Sequence, residues 1–295
     1  MTGAELSLLY RGDLSSCNYD CGYCPFAKRV DSALLTAQDR AGLERFVAWC
    51  DKTNFGLRIL FTPWGEALVR KHYRESFVRL SHMDNVRELG IQTNLSRDPS
   101  WLAAAHKAPI NLWCTYHPTQ TTRLRFLRRI QQLVQMGIGF SVGMVALQED
   151  FAEIQSMHQI LQDLARSAGK PIYLWLNAYD ARGADYYRPQ DIEKLVAIDP
   201  HFAYNVQPFS SLGADCRAGQ GAISVNAQGE VRPCHFVQRS LGNLYDGSFE
   251  RKLSRQPCPN AECDCYIGYS LRRDLPFTAA LTRGYAPSPT KLSAP

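Results

Sequence analysis

Cys17, Cys21 and Cys24 stand in C-x3-C-x2-C spacing just after an apolar run. Thiolates so spaced can surround one iron–sulfur cluster, and a [4Fe–4S] cube normally takes four cysteine ligands. Three protein ligands leave one iron open, and an open iron can coordinate a substrate or a cofactor. A disulfide loop and a zinc site are the other readings. The chain begins Met1-Thr2-Gly3-Ala4-Glu5, with neither the basic region nor the apolar core of a secretory signal. No run of about 18 consecutive apolar residues suggests a membrane span. A cytoplasmic location is therefore expected, where thiols stay reduced and cysteine clusters hold metals or do catalysis. Zinc sites usually match one C-x2–4-C pair with a second, and no second pair lies near Cys24. Iron–sulfur binding is the expectation.

Ten cysteines are many for a cytosolic enzyme of 295 residues, and they are unevenly placed. Besides the first three, five fall between 216 and 265: Cys216, Cys234, Cys258, Cys263 and Cys265, with Cys50 and Cys114 between the groups. Ile223 and Val225 alternate with small or polar residues, Asn226–Gly229 is a turn cluster, and Glu230–Arg232 returns. That pattern predicts a β-hairpin with Cys216 and Cys234 together at its open end. Five thiols for four ligand places leave one spare, and the sequence does not choose among Cys258, Cys263 and Cys265. Four cysteines suit zinc as well as iron–sulfur.

The elements that must carry these loops alternate over the first two-thirds of the chain. Strands are expected at 6–10, 57–61, 88–92, 110–116, 140–146 and 172–177, with helices from Thr36, over 73–83, over 99–106, up to Met136, and over 151–167. Thr36 is expected to cap the first helix and Asp39 to sit in its first turn. Leu43, Phe46, Val47 and Cys50 recur at i, i+3, i+4 and i+7, an apolar stripe that makes Cys50 a core residue. Gly137 falls where a helix C-terminal glycine belongs. Six strands, most followed by a helix, imply parallel βαβ units. After about 181 the alternation fades through a loop at 182–189, with a short helix expected at 190–197, and 276–295 reads as a tail. The composition, 45% hydrophobic with a net charge of +5, is that of an ordinary globule with a sizeable core. Arg123, Arg125, Arg128 and Arg129 read as the solvated face of a helix, and nucleic acid is not expected as a partner.

The cysteine spacing resembles that of the radical S-adenosylmethionine (SAM) enzymes. Tyr23, before the third cysteine, matches the aromatic that the family places beside the adenine. The resemblance implies a six-stranded (β/α)6 partial TIM barrel over 1–199, with chemistry at the carboxyl ends of the strands. It implies a SAM-binding [4Fe–4S] cluster whose open iron chelates SAM, reductive cleavage to a 5′-deoxyadenosyl radical, hydrogen abstraction, and an electron donor such as flavodoxin or ferredoxin. Gly65-Glu66 resembles the family's GGEP motif in degenerate form, with Trp64 for the first glycine and Ala67 for the proline. In that motif the backbone and the acid help hold the amino group of SAM. Asn94, in Thr93-Asn94, resembles the ending of strand three. Thr115 ends strand four, where the family often presents a hydroxyl to SAM. Alternation then turns Trp113 and Thr115 inward and Cys114 and Tyr116 toward the helices. His117 reads as a loop residue.

Cys216-x12-Gly-x4-Cys234 resembles the opening of the SPASM and twitch extensions. Too few cysteines remain for two auxiliary clusters, so the resemblance implies a small cysteine-rich twitch-like extension over 200–275 with one auxiliary [4Fe–4S] cluster. Fully ligated, that cluster would accept an electron from the substrate. Family frequency favours oxidation or crosslinking of a peptide, then dehydrogenation of a small molecule. A non-catalytic iron–sulfur or zinc protein is a third reading. Only 16 residues precede Cys17, so a peptide substrate is expected to need a separate leader-binding protein or direct recognition in the barrel. Asn177 and Tyr179 are expected near the substrate space.

Overall fold

In the computed structural model, residues 4–26, 29–179, 183 and 185–275 are described. The tail expected at 276–295 and most of the loop from 180 to 184 lie outside those residues.

Eight segments supply the main frame. They are β1 (Glu5–Arg11), α1 (Ala33–Lys52), β2 (Gly56–Phe61), α2 (Lys71–Ser81), β3 (Val86–Thr93), β4 (Ile110–Thr115), α3 (Arg123–Met136) and β5 (Gly139–Val145). α4 (Phe151–Ala168), β6 (Leu174–Asn177) and α5 (Pro189–Val196) complete the alternation. β1 to β6 lie side by side in chain order, every neighbouring pair parallel. The helical segment between β3 and β4 is a 3-10 helix, Pro99–Ala104, and not an α-helix.

The first helix starts earlier than expected. Ser32, not Thr36, is its N-cap and accepts the Leu35 N–H at 3.1 Å, while the Thr36 N–H already bonds the Ser32 carbonyl. Asp39 is buried rather than facing the helix dipole. The apolar stripe behaves as its spacing predicts, with Leu43, Phe46, Val47 and Cys50 fully buried. α3 ends at Gly137, whose φ of 71° permits the left-handed cap.

The sheet has nine strands rather than six. β7 (Phe209–Ser210) is followed by β8 (Ala222–Asn226), β9 (Glu230–Arg232), β10 (Gly242–Asn243), β11 (Glu262–Cys263) and α6 (Tyr266–Leu271). β8 and β9 form the expected antiparallel hairpin. β8 also pairs in parallel with β1, from Ser7 opposite Ala222 to Arg11 opposite Asn226, and β10 continues the sheet beyond β9. The edge that β1 would expose is thereby covered. β7 and β11 make a separate two-stranded ribbon.

The two faces of the sheet bury different sets. Leu8, Tyr10, Ile59, Phe61, Leu89, Ile91, Leu112 and Cys114 pack with the apolar stripes of α1 to α4. On the opposite face Leu9, Leu60, Trp113 and Ala222 meet Ile267 and Leu271 of α6. The C-terminal segment thus caps the inner face of the strands that begin the chain. Among the described residues no helix is long and apolar enough to cross a membrane.

Candidate active site

The loop after β1 carries Cys17, Cys21 and Cys24. Two buried carboxylates fix its approach. Asp31 accepts the Ser15 N–H at 3.2 Å, the Ser15 hydroxyl at 2.8 Å and the Ser16 hydroxyl at 2.5 Å, and pairs with Arg70 at 3.3 Å. Asp39 accepts the Leu14 N–H at 3.1 Å and the Tyr73 hydroxyl at 2.9 Å, and meets His72 at 3.0 Å. The residues before Cys17 are therefore tied to α1 and α2 before any cofactor is considered.

The loop after β2 presses against them. Gly65 has φ of 141°, and a Cβ built there would lie 1.9 Å from the Ser16 carbonyl oxygen. Only glycine permits this approach. The Glu66 N–H donates to that same oxygen at 3.2 Å. Glu66 itself is buried, 1% exposed. Its Oε1 accepts the Leu68 N–H at 3.0 Å and the Thr93 hydroxyl at 2.9 Å, and its Oε2 accepts the Asn94 N–H at 2.5 Å. Burial pushes its pKa up to about 7, against the opposing pull of those donors. Glu66 is thus first a strut between the ends of β2 and β3, and Oε2 retains acceptor capacity beyond its one bond.

Cys17, Cys21 and Cys24 line one cavity of about 200 Å³ together with Gly65, Glu66, Thr93, Asn94 and Thr115. The ends of β1 to β4 thereby bring together every cofactor residue named from the sequence except Tyr23. Tyr23 stands behind the wall, its hydroxyl 2.6 Å from His117 Nδ1 and its ring stacked on that imidazole. His117, Tyr19, Phe26 and Gln92 do line the cavity and were not singled out as site residues. Gln92 was recoverable from strand alternation, since it is register-paired with inward-facing Trp113. His117 had no signal beyond its place after Thr115. Its burial lowers its pKa to about 4, so the imidazole is neutral at physiological pH. Asn177 and Tyr179 are not part of this lining. Tyr179 packs edge-on against Tyr186.

The donor set fits a cluster. Cys17 Sγ accepts the Tyr19 N–H at 3.4 Å and the Asn94 amide at 3.7 Å, and burial raises the thiol's pKa against the opposing pull of the Tyr19 N–H. Among the described residues no three His, Cys, Asp or Glu side chains close on a single metal position. The three thiols border one cavity.

A second cavity, about 560 Å³, is lined by Cys216, Cys234, Cys258, Cys263 and Cys265. All five extension cysteines converge there, and the spare one is not distinguished by position alone. The Ala218 N–H donates to Cys216 Sγ at 3.5 Å. Burial pushes the Cys234 thiol up to about 11 and Cys263 to about 12, so metal loading must displace protons. A Cβ at Gly268 would come within 2.8 Å of Cys263 Sγ, which explains a glycine inside α6. Arg272, held by Asp274 at 2.9 Å and by the Ser210 carbonyl at 2.7 Å, also lines the cavity.

His235, adjacent to Cys234, joins this cavity to the first loop system. One ring nitrogen lies 2.6 Å from the Ser224 hydroxyl and the other 3.0 Å from the Thr62 hydroxyl. Burial, with the nearby Arg11 charge, lowers its pKa to about 3 and keeps it neutral. Of the four arginines expected on a solvated face, Arg125 and Arg128 are exposed. Arg123 pairs with Glu153 at 3.0 Å and Arg129 donates to the Leu95 carbonyl at 2.5 Å.

No family model matches this chain, and no curated protein does. Solved structures do. Native anSMEcpe with bound AdoMet and Kp18Cys peptide superposes with a TM-score of 0.54 at 16% identity, covering 85% of this chain and 81% of that one. Native anSMEcpe with bound AdoMet gives 0.53 at 16% identity over the same shares. At that identity the likeness is one of architecture, and this chain shares the fold of anSMEcpe, whose structures hold AdoMet.

Proposed function

We propose that this chain is a radical SAM oxidoreductase that oxidises or crosslinks a peptide. The observation that carries the reading is the convergence of Cys17, Cys21 and Cys24 with Gly65, Glu66, Asn94 and Thr115 in one cavity at the carboxyl ends of β1 to β4. On this reading the three thiolates hold a [4Fe–4S] cluster. With SAM bound at its open iron, that cluster supplies one-electron cleavage of the sulfonium and a carbon radical able to abstract hydrogen.

The chain's own residues bind and orient. Asp31 and Asp39 preset the cysteine loop through Ser15, Ser16 and Leu14. Gly65 lets the β2 loop close against the Ser16–Cys17 backbone. The remaining lone pair of Glu66 Oε2 is available to an ammonium, and Thr115 and Asn94 offer polar contacts from β4 and β3. His117, stacked on Tyr23 and hydrogen-bonded to its hydroxyl, would offer a flat aromatic face to a ring, with Tyr23 acting through it.

Cys216, Cys234 and two of Cys258, Cys263 and Cys265 would hold an auxiliary [4Fe–4S] cluster that accepts the electron left on the substrate. A donor such as flavodoxin or ferredoxin would reduce the first cluster. The peptide reading is supported by anSMEcpe, whose structure holds a Kp18Cys peptide. Recognition would be direct or through a separate leader-binding protein.

The test is iron and sulfide per chain after anaerobic reconstitution, for wild type and for Cys17→Ala/Cys21→Ala/Cys24→Ala. Two cubes predict about eight iron falling to about four, with 5′-deoxyadenosine formed from SAM and dithionite by wild type alone. About four iron falling to almost none removes the auxiliary cluster from the reading. No 5′-deoxyadenosine from a fully loaded wild type removes the radical chemistry.

A further inference from the structure

The loop that carries Cys17, Cys21 and Cys24 is pinned to two segments that hold arginines. The Asp20 N–H donates to Gln120 Oε1 at 3.0 Å, and the Gln120 amide returns a bond to the Asp20 carbonyl at 3.3 Å, two residues before Thr122 caps α3. Asn18 Oδ1 accepts the Asn94 amide at 3.1 Å and the Ser96 hydroxyl at 3.2 Å, immediately before Arg97. Arg129 closes the corner by donating to the Leu95 carbonyl at 2.5 Å, and Gln132 donates to Asp98 at 3.3 Å. The stripe of α3 that meets the loop after β3 is therefore the one carrying Arg125, Arg128, Arg129 and Gln132, at i, i+3, i+4 and i+7.

Arg97, Arg125 and Arg128 are exposed, and none of them makes an ion pair among the described residues. Arg123, on the other flank of α3, differs because Glu153 neutralises it. The charges converge, since burial lowers the pKa of Arg129 and the Arg125 and Arg97 charges push it the same way. The carboxylates beside them are Asp20 and Asp98, and Asp98 already caps the next helical turn by accepting the Ser100 N–H. The corner keeps a net positive charge. Its placement is also locally unfavourable. Arg125 lies one turn from Arg128 and Arg129, where like charges repel. The first turn of α3 holds Arg123 and Arg125 and no acid, at the helix end that is itself positive. Leu124, between them, is 62% exposed. Local rules broken without a compensating contact in the chain mark a surface that meets something else.

We propose that this corner, Arg97 with the Arg125 and Arg128 face of α3, docks an acidic one-electron carrier protein against the cysteine loop. The inference rests on the three-thiol cluster reading given above, which needs an electron from outside the chain. The carrier is oxidised by one electron and the cluster reduced by one, with no bond made or broken. An acidic partner supplies the carboxylates that these arginines lack, and Leu124 adds an apolar contact beside them. Nucleic acid fits less well, because its binders draw affinity from about 6–10 phosphate contacts, and three free arginines supply few.

The experiment compares wild type with Arg97→Gln/Arg125→Gln/Arg128→Gln, which leaves Arg129 and every residue of the first cavity in place. The probe is an acidic flavodoxin. Its binding to the full chain is read by fluorescence anisotropy of the labelled carrier. Electron delivery is read as 5′-deoxyadenosine formed from SAM with reduced flavodoxin below saturation. Dithionite, which needs no docking surface, is the control reductant. The variant is expected to bind flavodoxin at least about tenfold more weakly, and to form 5′-deoxyadenosine with it at least about tenfold more slowly. Its iron content and dithionite rate are expected to stay within about a quarter of wild type. Raising salt from about 50 mM to about 300 mM should weaken wild-type binding and leave the variant's nearly unchanged. Equal flavodoxin binding and rates in both proteins would overturn the proposal. A dithionite rate that falls as far as the flavodoxin rate would also overturn it, by placing the arginines in the fold of the first site. Binding of a labelled single-stranded RNA that the variant loses, with flavodoxin binding kept, would make the face a nucleic-acid surface and overturn it too. If fully loaded wild type forms no 5′-deoxyadenosine even with dithionite, the radical reading fails and the inference fails with it. That result needs no flavodoxin and is read first.

Discussion

Gly65→Ala is the substitution whose consequence follows most directly from the geometry. The added Cβ falls 1.9 Å from the Ser16 oxygen and 2.6 Å from its carbonyl carbon, both backbone atoms that no rotamer change can move. Relief requires the two loops to separate by about 1.5 Å to reach an ordinary 3.4 Å contact. Two costs arise. Alanine at φ near 141° is strained by about 1–3 kcal/mol. The Glu66 N–H to Ser16 hydrogen bond, 3.2 Å long, is lost with the separation, at about 0.5–1.5 kcal/mol. With residual overlap the total is on the order of 3–5 kcal/mol, a fall in melting temperature of roughly 5–8 °C for a chain of this size. The displaced residue adjoins Cys17, so iron loading at the first site should also fall by about half. The control is Gly22→Ala, inside the same cysteine motif, where an added Cβ meets nothing within 4 Å and φ is ordinary. It should change stability by less than about 0.5 kcal/mol. Thermal unfolding of the apoprotein and iron per chain after reconstitution read both effects. If Gly65→Ala melts and loads like Gly22→Ala, the close approach of the two loops does not exist in solution and the description of the first site is wrong.

Glu66→Gln tests the buried strut. Because burial raises the Glu66 pKa from 4.5 to about 7, the folded state binds its proton more tightly than the unfolded state does. Its contribution is fully present below about pH 4.5 and is lost as pH rises through about 7, on the order of 3 kcal/mol in all. Wild type should therefore lose stability between those values in apo-state denaturant titrations, and Glu66→Gln should lack that component. At pH 5 the variant should still be less stable by about 1–3 kcal/mol, because an amide nitrogen placed against the Asn94 N–H cannot accept from it. A pH profile that matches wild type would count against the buried carboxyl. Cys50→Ala and Cys114→Ala provide the complementary check on the cysteines. Both thiols are fully buried in the helix-facing core, so each variant should lose about 1–2 kcal/mol of stability with iron per chain unchanged. A drop in iron in either would show that the division between core and ligand cysteines is misdrawn.

What the sequence disclosed, and what it did not, divides along a physical line. Information carried by local periodicity or short spacing was legible. The stripe from Leu43 to Cys50, the terminating Gly137, the hairpin around Asn226–Gly229 and the three-thiol motif all express chemistry within a few residues. The inward direction of Trp113 and Thr115 followed from a period of two, and the apolar cluster and the cavity lining agree. Features made by two distant segments meeting were not legible. Nothing within Ala222–Asn226 specifies that it will pair with β1, more than two hundred residues earlier, though its nearly continuous burial is what a strand covered on both faces demands. Ser32 and Thr36 are equally good caps by type, and only the path of the chain out of the cysteine loop decides between them. Glu66 looks like a ligand in sequence because its three donors come from Leu68, Thr93 and Asn94, two of them at the end of another strand and just beyond it. Arg11 looks like any arginine at the end of a strand until the Thr62 carbonyl and the Trp64 ring are placed against it. Motif spacing in this chain therefore specifies the reactive group, while the residues that would tune it are set by tertiary contacts. Substrate choice belongs to that second class, which is why the cysteines alone point to a chemistry without pointing to the molecule on which it acts.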